Sequence, residues 1–133
     1  MTYRIFYKHF ASVYFYDKSI GFRAGSYGYY NRWREELAKL SEWPLSSYEE
    51  YGKMWPSYVA STWDANSGPF CELIHFSDCE GTIGAITSAK LARDFEKFQE
   101  AANAHEDECF SKKYREWRAA FELAANNGAV SFH

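Results

Sequence analysis

Long apolar runs are absent from this chain: no stretch approaches the roughly 18 residues that a membrane-spanning helix needs, so a soluble protein with no membrane contact is expected. Cysteine is scarce. Cys71, Cys79 and Cys109 are odd in number and form no C-x-x-C pair, which argues against a secreted disulfide framework and for a reducing cytoplasm. Residues Met1 to His9 lack a cationic segment followed by an apolar core and a small-residue cleavage site, so no export signal is expected. The sequence also lacks the G-x-x-x-x-G-K-[ST] and G-x-G-x-x-G phosphate loops, the G-x-S-x-G nucleophile turn and the H-E-x-x-H metal motif. A strong basic excess is missing as well. With a net charge of −3, general nucleic-acid binding is not expected.

Aromatic residues are plentiful, with 11 Tyr, 11 Phe and 5 Trp among 133 residues. That many can fill one core and still leave several at a binding surface. The length suits a single domain over 1–133. Charge is unevenly spread: residues 1–40 hold seven Lys/Arg against three Asp/Glu, and residues 41–80 hold one against seven. The plain reading is that the basic and acidic segments face each other.

Residues 3–16 are rich in Tyr, Phe, Ile and Val, which predicts two short strands near 3–7 and 12–16. Asp17 to Gly21 carries turn chemistry. Tyr30, Trp33, Leu37 and Leu40 follow 3-4-3 spacing and predict a helix over 29–40, with Ser26 at its cap, an Arg32–Glu36 pair on its wet side and Pro44 beyond its end. From 41 to 69 the periodicity is poor, so loops with a short helix near 46–54 are expected. The apolar run Phe70 to Phe76 reads as a strand delivering the polar turn Ser77-Asp78-Cys79-Glu80. A helix capped by Thr87 or Ser88 follows, with Leu91, Phe95, Phe98 and Ala102 inward to about Ala104. The last helix spans about 107–126, with Phe110, Tyr114, Trp117, Phe121 and Ala124 inward. Asn127-Gly128 stops it and a strand over 129–133 closes the chain. The expected fold is α+β, a small, mainly antiparallel sheet against about three main helices.

Two places carry groups suited to a ligand. Arg23, Gly25, Ser26 and Tyr27 approach the first helix, where amides and a guanidinium suit an anion, although a cap beside a surface arginine needs the same residues. His75, Ser77, Asp78 and Glu80 surround the polar turn, where carboxylates suit hydroxyls or amines, although Asp also simply stabilises turns. Their opposite signs predict that Arg23 and Asp78 share one site. Cys71, His75, Cys79, His105 and Cys109 match no zinc spacing, so no metal is expected; a Cys–His nucleophilic pair has no motif behind it either.

Three blocks, Gly21-Phe22-Arg23-Ala24-Gly25-Ser26-Tyr27 with Asn31-Arg32-Trp33-Arg34, Phe76 to Gly84, and Ser88 to Phe95, resemble a family of small, functionally uncharacterised proteins of bacteria and their phages. The likeness covers about residues 20–133. It implies the cytoplasm of a bacterial host cell, and counter-defence is a recurring task of small phage proteins; it assigns no residue a role. The expected function is a non-catalytic binding module without a cofactor, holding a small anionic or nucleotide-like ligand through the eight residues named above. In a phage setting it would sequester a host signalling molecule. One alternative is an inhibitor or adaptor that engages a host protein through the aromatic 43–63 segment and its acidic surface. The other is a small hydrolase, which would need His75 within reach of a carboxylate or thiol.

Overall fold

The computed structural model describes residues 10–15, 18–23, 27–75 and 81–132, and for 10–15, 18–23, 27, 28, 81 and 132 the backbone alone. Its elements in order are strands β1 (Phe10–Phe15) and β2 (Lys18–Arg23), helix α1 (Tyr27–Leu40), and strands β3 (Ser46–Glu50) and β4 (Lys53–Ser57). A 3-10 turn (Val59–Thr62), a short helix α2 (Cys71–Ile74) and strand β5 (Gly81–Ile83) follow. Helices α3 (Ala85–Lys97), α4 (Gln99–Asn103) and α5 (Glu108–Ala124) then lead into strand β6 (Ala129–Phe132). The fold is α+β and rich in helix. One antiparallel sheet has the order β2-β1-β6-β5, with Val130 opposite both Val13 and Ile83, and β3 pairs with β4 in a separate two-stranded sheet. No helix among the described residues is long and apolar enough to cross a membrane.

The core is built on α5, whose Phe110, Tyr114, Trp117, Phe121 and Ala124 are all buried. These positions recur every three or four residues, so they share one face of the helix. Trp33 of α1 stacks on Trp117 at 6.3 Å between ring centres, and Phe95 of α3 meets Tyr114 edge-on at 4.8 Å. Val130 of β6 and Ile83 of β5 complete the contact with the sheet. α1 ends in a left-handed Glu42, with the Trp43 amide reaching back to the Ala38 carbonyl at 3.0 Å. Pro44 follows two residues later, as is common after this type of stop. At the end of α5, Asn127 takes the expected left-handed conformation, with φ 66°.

Several local expectations are corrected. The run Phe70 to Phe76 is not a strand in its described part, because 71–74 form α2. Phe70, Cys71, Leu73 and Ile74 are buried while Glu72 points toward Lys90, a helical division of faces that a short apolar run cannot announce by itself. Phe70 adopts φ 58° and donates its amide to Asp94, and Lys90 links Glu72, Asp94 and the Gly68 carbonyl. Those contacts come from α3, so the tertiary structure selects the helix. The short helix expected near 46–54 is the β3–β4 hairpin, closed at Tyr51 and Gly52 with φ of 53° and 74°. Two successive left-handed residues make a type I′ turn, which matches strand twist. The helix after residue 84 starts at Ala85, before Thr87 and Ser88, and breaks at Phe98 into α3 and α4. The turn placed at 17–21 is overtaken by β2, which begins at Lys18, while the strand at 3–7 lies outside the described residues.

Candidate functional site

Arg32, Glu35, Glu36 and Lys39 lie at helical spacing along the polar side of α1, and the structure sets the β3–β4 hairpin and its 3-10 turn against that side. A cleft of about 600 Å³ opens between them, lined from the hairpin side by Leu45, Tyr48, Pro56, Tyr58 and Trp63. An isolated two-stranded hairpin is marginal in water. Here Glu35 holds its base: one carboxylate oxygen accepts from the Ser57 hydroxyl, the other from the Tyr58 amide at 2.7 Å and the Val59 amide at 3.4 Å. Ser57 in turn accepts from the Ala60 amide at 3.0 Å, so the start of the 3-10 turn is doubly capped. Tyr48 meets Trp63 at 5.7 Å across the mouth.

Most charges of the cleft are already engaged. Arg34 donates to the Ile74 carbonyl at 3.0 Å and to Asn31 at 2.6 Å, and its guanidinium lies 5.3 Å from the Tyr30 ring centre. Glu36 faces His105 at 2.9 Å rather than pairing with Arg32 as its spacing suggested. Because the Asp107 amide donates to Nδ1 of His105, the imidazole proton sits on Nε2 and points at Glu36. Arg32 and Lys39 are exposed and form no hydrogen bond or ion pair among the described residues; the Lys39 ammonium lies 6.0 Å from the centre of the Tyr58 ring.

The hairpin itself carries an unusual surface. Leu45, Tyr51, Met54, Trp55 and Trp63 are exposed, with Tyr51 at 94% and Met54 at 64%. Large hydrophobics left outside in such concentration mark contact surfaces. Glu42, Glu49, Glu50 and Asp64 are exposed in the same segment of the chain, and Lys53 is its single cation.

The ligand-site residues read from the sequence are placed as follows. Arg23 ends β2 and Tyr27 begins α1, each described through the backbone alone; Gly25, Ser26, Ser77, Asp78 and Glu80 lie outside the described residues. The shared Arg23–Asp78 site therefore lies outside them too. His75 follows α2, with Nε2 at 2.6 Å from the Thr62 carbonyl and Nδ1 at 3.7 Å from the Cys71 sulfur. That contact has the partners of a thiol–imidazole pair but not its chemistry. Cys71 is buried, and desolvation, reinforced by Glu72 and opposed by Lys90, raises its thiol pKa. A protonated, enclosed thiol is a poor nucleophile. Among the described residues no three His, Cys, Asp or Glu side chains gather as a metal set. The cleft itself escaped sequence reasoning, and its signal was weak: Tyr51-Gly52 after two glutamates marks a turn, but nothing in the chain announces that Glu35 would reach it. No family model, curated protein or solved structure matches this chain.

Proposed function

We propose that this protein is a non-catalytic binding module that engages another protein through the β3–β4 hairpin. The observation that carries the reading is the exposed Tyr51 and Met54, on a segment whose Glu42, Glu49, Glu50 and Asp64 are also exposed; Trp55 lies on the other face of the hairpin. Apolar anchors accompanied by one sign of charge suit a partner that presents apolar pockets within a basic surface, because the charges steer encounter and the buried anchors supply affinity. None of the four carboxylates has an ion-pair partner among the described residues. In the bacterial or phage setting that the sequence blocks imply, the partner would be a host protein and the module an inhibitor or adaptor. The small-ligand reading built on Arg23, Gly25, Ser26, Tyr27 and the 77–80 turn rests on residues whose side chains lie outside the described part, and the buried Cys71 thiol counts against the hydrolase.

The test is site-specific photo-crosslinking in bacterial cells from positions 51 and 54, with position 86 as control, since Ile86 is 90% exposed on α3, outside the hairpin. One protein should be captured from 51 and 54 and not from 86. Once purified, it should bind directly, with affinity falling as salt rises and lost on Met54→Lys. Equal capture from position 86, or a purified partner indifferent to Met54→Lys, would overturn the reading.

A further inference from the structure

We infer that the cleft between α1 and the hairpin is a second binding site, specific for a small anionic molecule that carries an aromatic ring. Its volume of about 600 Å³ lies within the range of small-molecule sites. Three cations, Arg32, Arg34 and Lys39, and two carboxylates, Glu35 and Glu36, line it. The simple tally hides a sharper asymmetry. Both Glu35 oxygens accept hydrogen bonds from the hairpin base, and one Glu36 oxygen faces His105, so Glu35 is wholly engaged and Glu36 in part. Arg34 is committed to Ile74 and Asn31. The cations of the cleft with no hydrogen bond or ion pair among the described residues are Arg32 and Lys39.

These two residues are seven apart on one helix, about 10 Å along its axis. That span suits an elongated ligand better than a lone oxyanion, which a single cation would satisfy. Facing them, Trp63 is 56% exposed and packs its ring against Tyr48, which leaves indole surface open to the cleft mouth. An exposed indole held in place by a neighbouring ring is a stacking platform, and stacking tolerates any planar heterocycle. Ring and anion together describe a nucleoside monophosphate or a compound of that shape. This site uses Trp63, Tyr48, Arg32 and Lys39, whereas the protein contact uses Tyr51 at the turn and Met54 on the opposite face of the hairpin from Tyr48, so the two proposals stand or fall separately.

The experiment titrates the four ribonucleoside monophosphates into the full chain and reads tryptophan fluorescence, with adenosine, ribose 5-phosphate and inorganic phosphate as controls. At least one monophosphate should quench and saturate below about 1 mM, while the controls bind at least tenfold more weakly. Trp63→Ala, Arg32→Ser and Lys39→Gln should each weaken binding at least tenfold with unchanged far-ultraviolet circular dichroism. Tyr51→Asn should leave it unchanged. Absence of saturation with all four monophosphates, binding of inorganic phosphate as tight as that of the monophosphates, or wild-type affinity in the Trp63 and Arg32 variants would overturn the inference.

Discussion

Gly68 holds a φ of 144°, and a Cβ placed there would lie 2.5 Å from the Trp43 ring. The same indole donates to the Pro69 carbonyl at 2.9 Å, and Lys90 donates to the carbonyl of Gly68 itself, so the ring, the turn and α3 are locked together at one residue without a side chain. Gly68→Ala should therefore destabilise the protein by more than about 1 kcal/mol, since alanine at an incompatible backbone angle costs more than its entropic benefit. Urea denaturation checks this, and an unchanged midpoint would show that the turn adjusts freely. Tyr114 makes the second residue-scale prediction. Its phenol is buried and donates to the Phe95 carbonyl at 2.6 Å. Desolvation raises its pKa, with Arg118 opposing and Asp94 adding. A raised pKa means that the fold favours the neutral phenol, so this contribution is intact below the ordinary tyrosine value of about 10 and is lost as pH climbs through the folded value. Above about pH 10 the wild type should lose stability faster than Tyr114→Phe, by up to about 1.4 kcal/mol per pH unit. Parallel stability curves across that range would contradict the assignment.

At the scale of elements, the hairpin is the piece most dependent on its neighbours. Its turn is imperfect by design of sequence: Tyr51 takes φ 53°, where a side chain with a Cβ is strained and asparagine is tolerated. Replacing Tyr51 with Asn should stabilise the hairpin by about 0.5–1 kcal/mol, visible as slower amide exchange over 46–57. The same change should weaken partner capture, because it removes the most exposed ring. A variant that is both better folded and worse at binding would separate the structural role of this residue from its functional one. The turn residue Gly52 was legible in the sequence, but the pairing of β3 with β4 was not. Pro56 demotes its run to an edge strand or a non-strand, and β3 alternates too weakly to stand out. Likewise α2 is too short for its apolar pattern to distinguish helix from strand. The long-range contacts that decide both are Glu35 to the hairpin base, 22 to 24 residues away, and Lys90 and Asp94 to the turn before α2.

Across the whole molecule, stability rests on the aromatic layer that α5 shares with α1 and α3. Phe121 lies 5.8 Å from both Phe95 and Trp117 and is fully buried. Phe121→Ala should cost about 3–5 kcal/mol, and a loss below about 1 kcal/mol in chemical denaturation would contradict this placement of the core. Among the described residues, charges of the acidic middle and of α1 engage as follows. Glu72 of the acidic middle pairs with Lys90 of the last third, and α1 is fastened to the middle segment by Glu35 and Arg34 hydrogen bonds to backbone and hydroxyl groups. Glu42, Glu49, Glu50 and Asp64 are exposed and take no part in these contacts. The sequence by itself determined α1, the inward faces of α3 and α5, the stop at Asn127 and the closing strand, because each depends on periodicity or on the backbone preference of one or two residues. Only the tertiary structure decided the hairpin, α2 and the cleft. Their conformations are settled by groups distant along the chain, and the free energy of a hydrogen bond such as Glu35 to Tyr58 exists only after folding has brought its two ends together.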